Sequence, residues 1–529
     1  MTTQLSRRAL GAAAFSSALA LPAVAQNQGQ TLTIATGGSI TSVDPHFFNA
    51  APNSSLALHL FNALVDRTPD AKFVPGLATS WRVIEPTIWE FKLREGVKWH
   101  DGRPFTAEDV EFTYGRAPNV PNSPGGFGGF LRSIKRIEIL DPLTMRFHTH
   151  APNPILPTDL AAIFIVSKHV GEGATTDDYN SGKAAIGTGP YKLVSYQPNN
   201  RTELVRNDEY WGGAEPWARV SYRFIANDAA RSAALLAGDL DMIDQVASSD
   251  LARLKREPRT SVSETVGLRC VYLMPDFSRT GSTPFVTDNA GTPLPANPFL
   301  DVRVRQALTS IINRQNIAER VMEGQATPTN QWLPPGTFGY APDVTVPNPN
   351  VEHSRRLLAE AGFPNGFKLT LHTPNDRFPN DSRIAQAVAQ FWTRIGVQTQ
   401  VEAVPWASFS ARSNRQEFAI RLTSWGSTTA EAGYMLTNIM MTYSRENRTG
   451  ASNSGRFSSP ELDRLTNEAV AIIDNEQREK ALQDLVRWVG REVPIMPLIQ
   501  LNHTWATRRG LTYAARMDER TIAMGVRPA

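Results

Sequence analysis

A chain of 529 residues with a single cysteine, Cys270, cannot close an internal disulfide, so cross-links play no part in its stability. Charge of one sign is not in excess either: 54 basic residues against 51 acidic ones give a formal +3. A chain so near neutrality offers no electrostatic case for a nucleic-acid partner. After residue 26 no stretch approaches the ~18 uninterrupted apolar residues that a bilayer-spanning helix needs. Reaction motifs are scarce as well. The sequence has no Gly-x-Ser-x-Gly elbow of a serine hydrolase. It has no Gly-x-x-x-x-Gly-Lys-Ser/Thr phosphate cradle and no Gly-x-Gly-x-x-Gly turn after a strand. The zinc-protease helix signature His-Glu-x-x-His is also missing. The run Gly125-Gly126-Phe127-Gly128-Gly129 has the wrong spacing for a dinucleotide turn and reads as a flexible loop. A secreted hydrolase with an unrecognised site is therefore only a rival reading.

What is present is ordinary globular usage, 41% hydrophobic and 20% charged residues, in a length that implies about three to four folding units or two large lobes. The N-terminus reads as an address. Arg7-Arg8 precede an alanine-rich apolar stretch to Leu21 and then Pro22-Ala23-Val24-Ala25, the order of a twin-arginine export signal cleaved after Ala25. Residues 1–26 carry those two arginines and no acid, so the mature balance is 52 minus 51, or +1. The product is expected in the periplasm. There a lone thiol flanked by Val271, Tyr272 and Leu273 reads as a buried small hydrophobe. Among nine histidines, His148-x-His150 is the one metal-like pair, and it reads more readily as two exposed residues at a sheet edge. Asp101, in the turn Trp99-His100-Asp101-Gly102, is placed to bond its own backbone.

Strand and helix periodicities alternate throughout, which predicts an α/β fold with mixed sheets. Thr31 to Ala35 alternates as a strand and runs into the turn Gly37-Gly38-Ser39. Trp89 to Leu93 alternates again. Helices are predicted from Asp301, with Val304, Leu308, Ile311 and Ile312 on one face, and from Asp381 to Gly396, before a strand from Val397 to Val401. Two more start at Ser459-Pro460 and near Asn475, the second stopping at Gly490. Long connections at 117–129 and 275–298 are candidate rims of a cleft.

Three segments carry a resemblance: Val74 to Trp81, Trp89 to Gly102 and Pro104 to Val110. With Gly187-Thr188-Gly189-Pro190-Tyr191, Asn207 to Trp211, Ala237 to Asp241, Val302 to Leu308, Phe457 to Asp463 and Pro494 to Leu498, the chain resembles the dipeptide-, oligopeptide- and nickel-binding family of ABC-importer solute-binding proteins. The resemblance implies a two-lobed periplasmic binding protein fold. Residues 31–68, 186–276 and 502–529 would form the core of lobe one, 69–185 an added subdomain, and 277–501 lobe two. It also implies a non-enzymatic monomer that needs no cofactor, takes up a small peptide-like solute and hands it to the membrane subunits of an ABC permease. A nickel-chelate or haem carrier is the alternative within the family. Trp81, Trp89 and Trp99 read as core.

By resemblance, ligand contacts come from the loop after the first strand, here with Gly38 and Ser39, and from lobe-two segments carrying Trp406 and Trp425. A plain tight turn reads equally well for the first, and core packing remains open for the tryptophans. Peptide binders of the family follow the second tryptophan with an aspartate that accepts the ligand's ammonium group. That place here holds Thr428, within Gly426-Ser427-Thr428-Thr429-Ala430-Glu431. A hydroxyl cannot neutralise a buried cation, which puts a free peptide amine in doubt. Ser427, Thr428 and Glu431 are candidate contacts, Glu431 either as a substitute acid or as a plain surface residue.

Overall fold

The computed structural model describes residues 31–529, so the export segment read from residues 1–26 lies outside the described residues. Twelve strands form one continuous mixed sheet. A separate four-stranded antiparallel sheet is built from Ala78–Glu85, Ile88–Leu93, Ile134–Asp141 and Thr144–Thr149. The first strand, Thr31–Thr36, is buried on both faces. Leu32 and Ile34 belong to a cluster with Leu56, Leu60 and Tyr222, and Ala35 to one with Leu235 and Leu254. It runs parallel to Arg219–Phe224 and Met242–Asp244. In the other half of the sheet Lys368–Pro374 runs parallel to Gln398–Val404 and Ile420–Gly426. Each parallel group organises one lobe.

Two long strands, Thr260–Pro275 and Met496–Arg508, pair with each other and belong to both halves. Near their middle the register slips: Val266 faces Asn502, yet Cys270 faces Gln500. Gly267, Leu268 and Arg269 thus oppose Leu501 alone, a bulge at the point where one lobe gives way to the other. Only glycine fits at 267, because a Cβ there would lie 2.0 Å from His503 Nε2 and 2.7 Å from the Leu501 carbonyl oxygen. Leu268, freed from the ladder, bonds sideways. Its N–H donates to the Met517 carbonyl at 3.2 Å, and its carbonyl accepts from the Ser427 N–H at 3.0 Å.

Helices begin where their caps allow. Asp301 accepts from the Arg303 N–H at the head of Val302–Ser310, and Ser459 caps Pro460–Ala471 with proline in the first turn. Thr106 and Asp109 form a reciprocal capping box on Ala107–Arg116. The apolar faces of Val302–Ser310 and Asp381–Thr393 supply Val304, Leu308, Ile384, Val388 and Trp392 to the largest core, with Leu369, Leu371 and Leu422 from the sheet. Burying each such side chain contributes about 1.5–3 kcal/mol. Cys270 is fully buried, and burial pushes its thiol far above its usual range, leaving it inert.

Two expectations need correction. The helix from Asn475 runs to Glu492, two residues past Gly490, and stops where Val493 takes the left-handed conformation at φ 51°. His148 does not lie at a sheet edge: its strand is flanked on both sides, and its Nε2 sits 2.7 Å from Glu138 Oε2. His150 is exposed, beyond the end of that strand. Among the described residues no group of three His, Cys, Asp or Glu side chains is arranged to hold a metal ion.

Candidate functional site

Both parallel groups aim the carboxyl ends of their strands into one gap. From one lobe the strand ends deliver Gly37, Asp228 and Gln245; from the other they deliver Arg377, Trp406 and Ser427. Crevices outside the carboxyl ends of parallel strands are where open α/β sheets bind ligands. A cavity of about 540 Å³ lies here, lined by Asp228, Asp244 and Gln245 on one side and by Arg377, Phe378 and Asn380 on the other. Arg269, Asn502 and His503 of the connecting strands also line it. That volume suits a small solute.

Two arginines, Arg269 and Arg377, stand among three carboxylates, Asp228, Asp244 and Glu519, in this lining. Arg269 emerges from the bulge, its Nε 3.4 Å from Glu519 Oε1. It also packs against Gly426, where a Cβ would come within 3.1 Å of Arg269 Nη2. The Arg377 guanidinium lies over the Trp406 indole, 4.7 Å from its centroid, and among the described residues it has no carboxylate at ion-pair distance. Burial, and then the neighbouring Arg269 charge, hold its pKa below the usual arginine value. Burial alone would raise Glu519, but Arg269 and His503 outweigh it and keep that carboxyl below its ordinary range. Burial likewise lowers His503, favouring the neutral ring. Opposite them, burial pushes Asp244 up to about 6 against the pull of the Gly37 N–H, which donates to its Oδ1 at 2.8 Å. Arg377 and Arg269 offer N–H groups to a carboxylate, and Trp406, over which Arg377 lies, is not itself in the cavity lining.

The residues expected from the sequence are not all brought together. Trp406 is half-buried, opens the helix Trp406–Asn414, donates its N–H to Asp376 Oδ1 at 2.6 Å and stacks on Phe409. Trp425 is also half-buried, but it stands opposite Cys270 while Arg269 stands opposite Gly426, so the two side chains leave opposite faces of the sheet. Its ring tilts against Tyr434, and its indole N–H has no partner. The two tryptophans make no ring contact. Gly38 abuts Pro52, where a Cβ would come within 2.6 Å of Cγ. Ser39 donates to Asn199 Oδ1 at 2.6 Å, at the hairpin between the far edge strands of lobe one, and neither residue lines the cavity. Ser427 is buried with an unpartnered hydroxyl, and Thr428 is exposed, its carbonyl accepting from Arg67 Nη2 at 2.5 Å. Glu431 is no surface acid: it is 5% exposed, and its Oε1 lies 2.6 Å from Arg478 Nη1. Its charge is already matched.

Sequence reasoning missed Arg269, Arg377, Glu519 and Arg67. Only Arg377 had a visible signal, an arginine between strand and helix in the Pro374–Asn380 turn. It also missed a relay-like contact: Ser167 Oγ meets His169 Nδ1, and His169 Nε2 lies 2.6 Å from Asp101 Oδ2. Ser167 is 1% exposed, so no substrate reaches its hydroxyl.

Residues 72–446 match the family described as bacterial extracellular solute-binding proteins, family 5. The chain belongs to this family. Heme-binding protein A of Haemophilus influenzae is 28% identical to this family 5 protein over 469 residues, 83% of this chain and 81% of its own. The dipeptide-binding protein of Escherichia coli is 27% identical over 437 residues, 77% of this chain and 78% of its own. Among solved structures, HbpA2 from Haemophilus parasuis superposes with a TM-score of 0.82 at 24% identity, covering 94% of this chain and 100% of that one. The unliganded open form of the periplasmic murein tripeptide-binding protein MppA gives 0.78 at 23% identity, covering 95% and 98%. The two-lobed α/β architecture is common to them.

Proposed function

We propose that this family 5 protein is the exported, monomeric receptor of an ABC importer. It captures a small peptide or peptide-like solute with an anionic group and presents the closed form to its permease. Dipeptide-, oligopeptide- and glutathione-binding relatives support the solute class. Residues 1–26 would address it to the periplasm, with cleavage after Ala25. The division into a lobe-one core, a subdomain at 69–185 and lobe two is part of the same reading. No bond in the solute changes. The ligand touches both lobes only when they are closed, so its binding shifts the open–closed population.

One observation carries this reading: Arg377, which among the described residues has no ion-pair partner, lines an interlobe cavity with its guanidinium over the Trp406 ring. Calorimetric titration with dipeptides carrying a free or an amidated C-terminus tests it. Free-carboxylate forms are expected to bind and amides to bind weakly. Arg377→Ala should cost about 1.5–3 kcal/mol, or tenfold to a hundredfold in Kd, and Trp406→Ala should weaken capture with little change in melting temperature. Equal affinity for acid and amide, unaltered by either substitution, would contradict it.

The heme-binding relative favours a second reading, a carrier of haem or of a nickel chelate, whose carboxylates would meet the same arginines. Metal analysis of protein exported by its native host separates the two.

A further inference from the structure

We propose that Gln245 is a specificity-determining residue of the interlobe cavity, held in a strained backbone so that its side-chain amide meets an amide group of the solute. This rests on the capture reading and adds the chemical group that is read. Gln245 follows the strand Met242–Asp244 and lines the cavity with an exposed side chain. Its φ is 47°, in the left-handed region that a residue with a Cβ enters only at a cost. Among the described residues thirteen other than glycine do so, and three of them, Gln245, Asn380 and Glu519, are among the nineteen that line this one cavity. Strain of that kind persists where the surrounding structure enforces it, and it gathers at ligand clamps.

The enforcing group is Arg231. Only 1% exposed, it ties strand ends together: Nη1 donates to the Ile225 carbonyl at 2.7 Å, and Nη2 donates to the Gln245 carbonyl at 3.1 Å and to Asp228 Oδ1 at 2.6 Å. The end of the first strand packs on this knot. A Cβ at Gly37 would lie 2.8 Å from Arg231 Nη1, and the Gly37 N–H donates to Asp244 Oδ1 at 2.8 Å. All of this uses only the backbone of Gln245, and a glycine in its place would serve the knot with less strain. The other two strained residues have partners for their side chains. Glu519 faces Arg269 at 3.4 Å, and Asn380 Oδ1 accepts from Arg383 Nη1 at 3.1 Å. The Gln245 amide bonds no other described residue. A primary amide carries a carbonyl acceptor and two N–H donors, the complement of the N–H and C=O of a peptide unit. From its place in the lining it pairs with that unit, while Arg377 on the other side takes a carboxylate.

Calorimetric titration and urea unfolding of the purified protein and two variants test this. One probe is Ala-Phe; the other is its ester analogue, with the carboxylate kept and an oxygen in place of the peptide N–H. The natural protein should bind Ala-Phe about threefold to tenfold more tightly than the ester. Gln245→Ala and Gln245→Gly should both weaken Ala-Phe and bring the two probes level. Their unfolding should differ: Gln245→Gly removes the Cβ that makes the left-handed backbone costly, so its urea midpoint should lie above those of Gln245→Ala and of the natural protein. A residue that served only the fold would lower the midpoint and leave the preference between probes intact. That result, or an affinity unaltered in both variants, would overturn the proposal. A natural protein that binds neither probe would contradict the capture reading itself, and the amide contact with it.

Discussion

Arg377 and Glu431 show why single residues of the site were hard to read. Glu431 lies close to a segment that carries the resemblance and Arg377 lies far from any, but what each does depends on a partner brought in by the fold: Trp406 lies 29 residues beyond Arg377 and Arg478 lies 47 beyond Glu431. Trp406 was singled out by its match to a family tryptophan that follows a strand, and Thr428 by its departure from the family's aspartate. Arg269 was not, since nothing in a continuous alternating strand marks the residue that a bulge will turn outward. Asp159 supplies a test at this scale. Burial, assisted by the nearby Glu431 charge, pushes its carboxyl up to about 8. The folded chain thus holds a proton that the unfolded chain releases near its ordinary value of 3.8. Between those values the folded state binds more protons, so stability falls as pH rises through the window. Thermal unfolding near pH 5 and near pH 9 should show a drop for the natural protein, on the order of 1 kcal/mol per pH unit inside the window, and a smaller one for Asp159→Asn. Parallel slopes would show that the carboxyl titrates normally.

Elements were more legible than residues, because periodicity and caps are local. Asp301, Asp381, Ser459 and Pro460 stand at helix starts as their chemistry requires, and Thr31–Thr36 alternates as a strand. The changeover between lobes was hidden inside Thr260–Pro275, where pairing with a strand more than 200 residues away decides the register. Gly267 gives this hinge its testable constraint. Gly267→Ala drives a Cβ into His503 and the Leu501 carbonyl, so denaturant unfolding should show a loss of about 1–3 kcal/mol or more. Solute affinity should fall with it, since Leu268 next door bonds both Met517 and Ser427. An alanine variant of unchanged stability would mean the strands slip past each other freely.

For the whole molecule, length allowed three to four units or two large lobes, the family resemblance implied two lobes, and the twelve-stranded sheet shows how they are joined: two shared strands cross between groups whose carboxyl ends face one another. A body built this way can close on what lies between its halves and reopen. Small-angle scattering of the protein stripped of cargo and of the protein saturated with the dipeptide that binds most tightly measures this directly, with mass spectrometry of the recovered peptide. The account expects a smaller radius of gyration in the loaded form and a peptide of unaltered mass. Superimposable curves at saturation, or a shortened peptide, would contradict it.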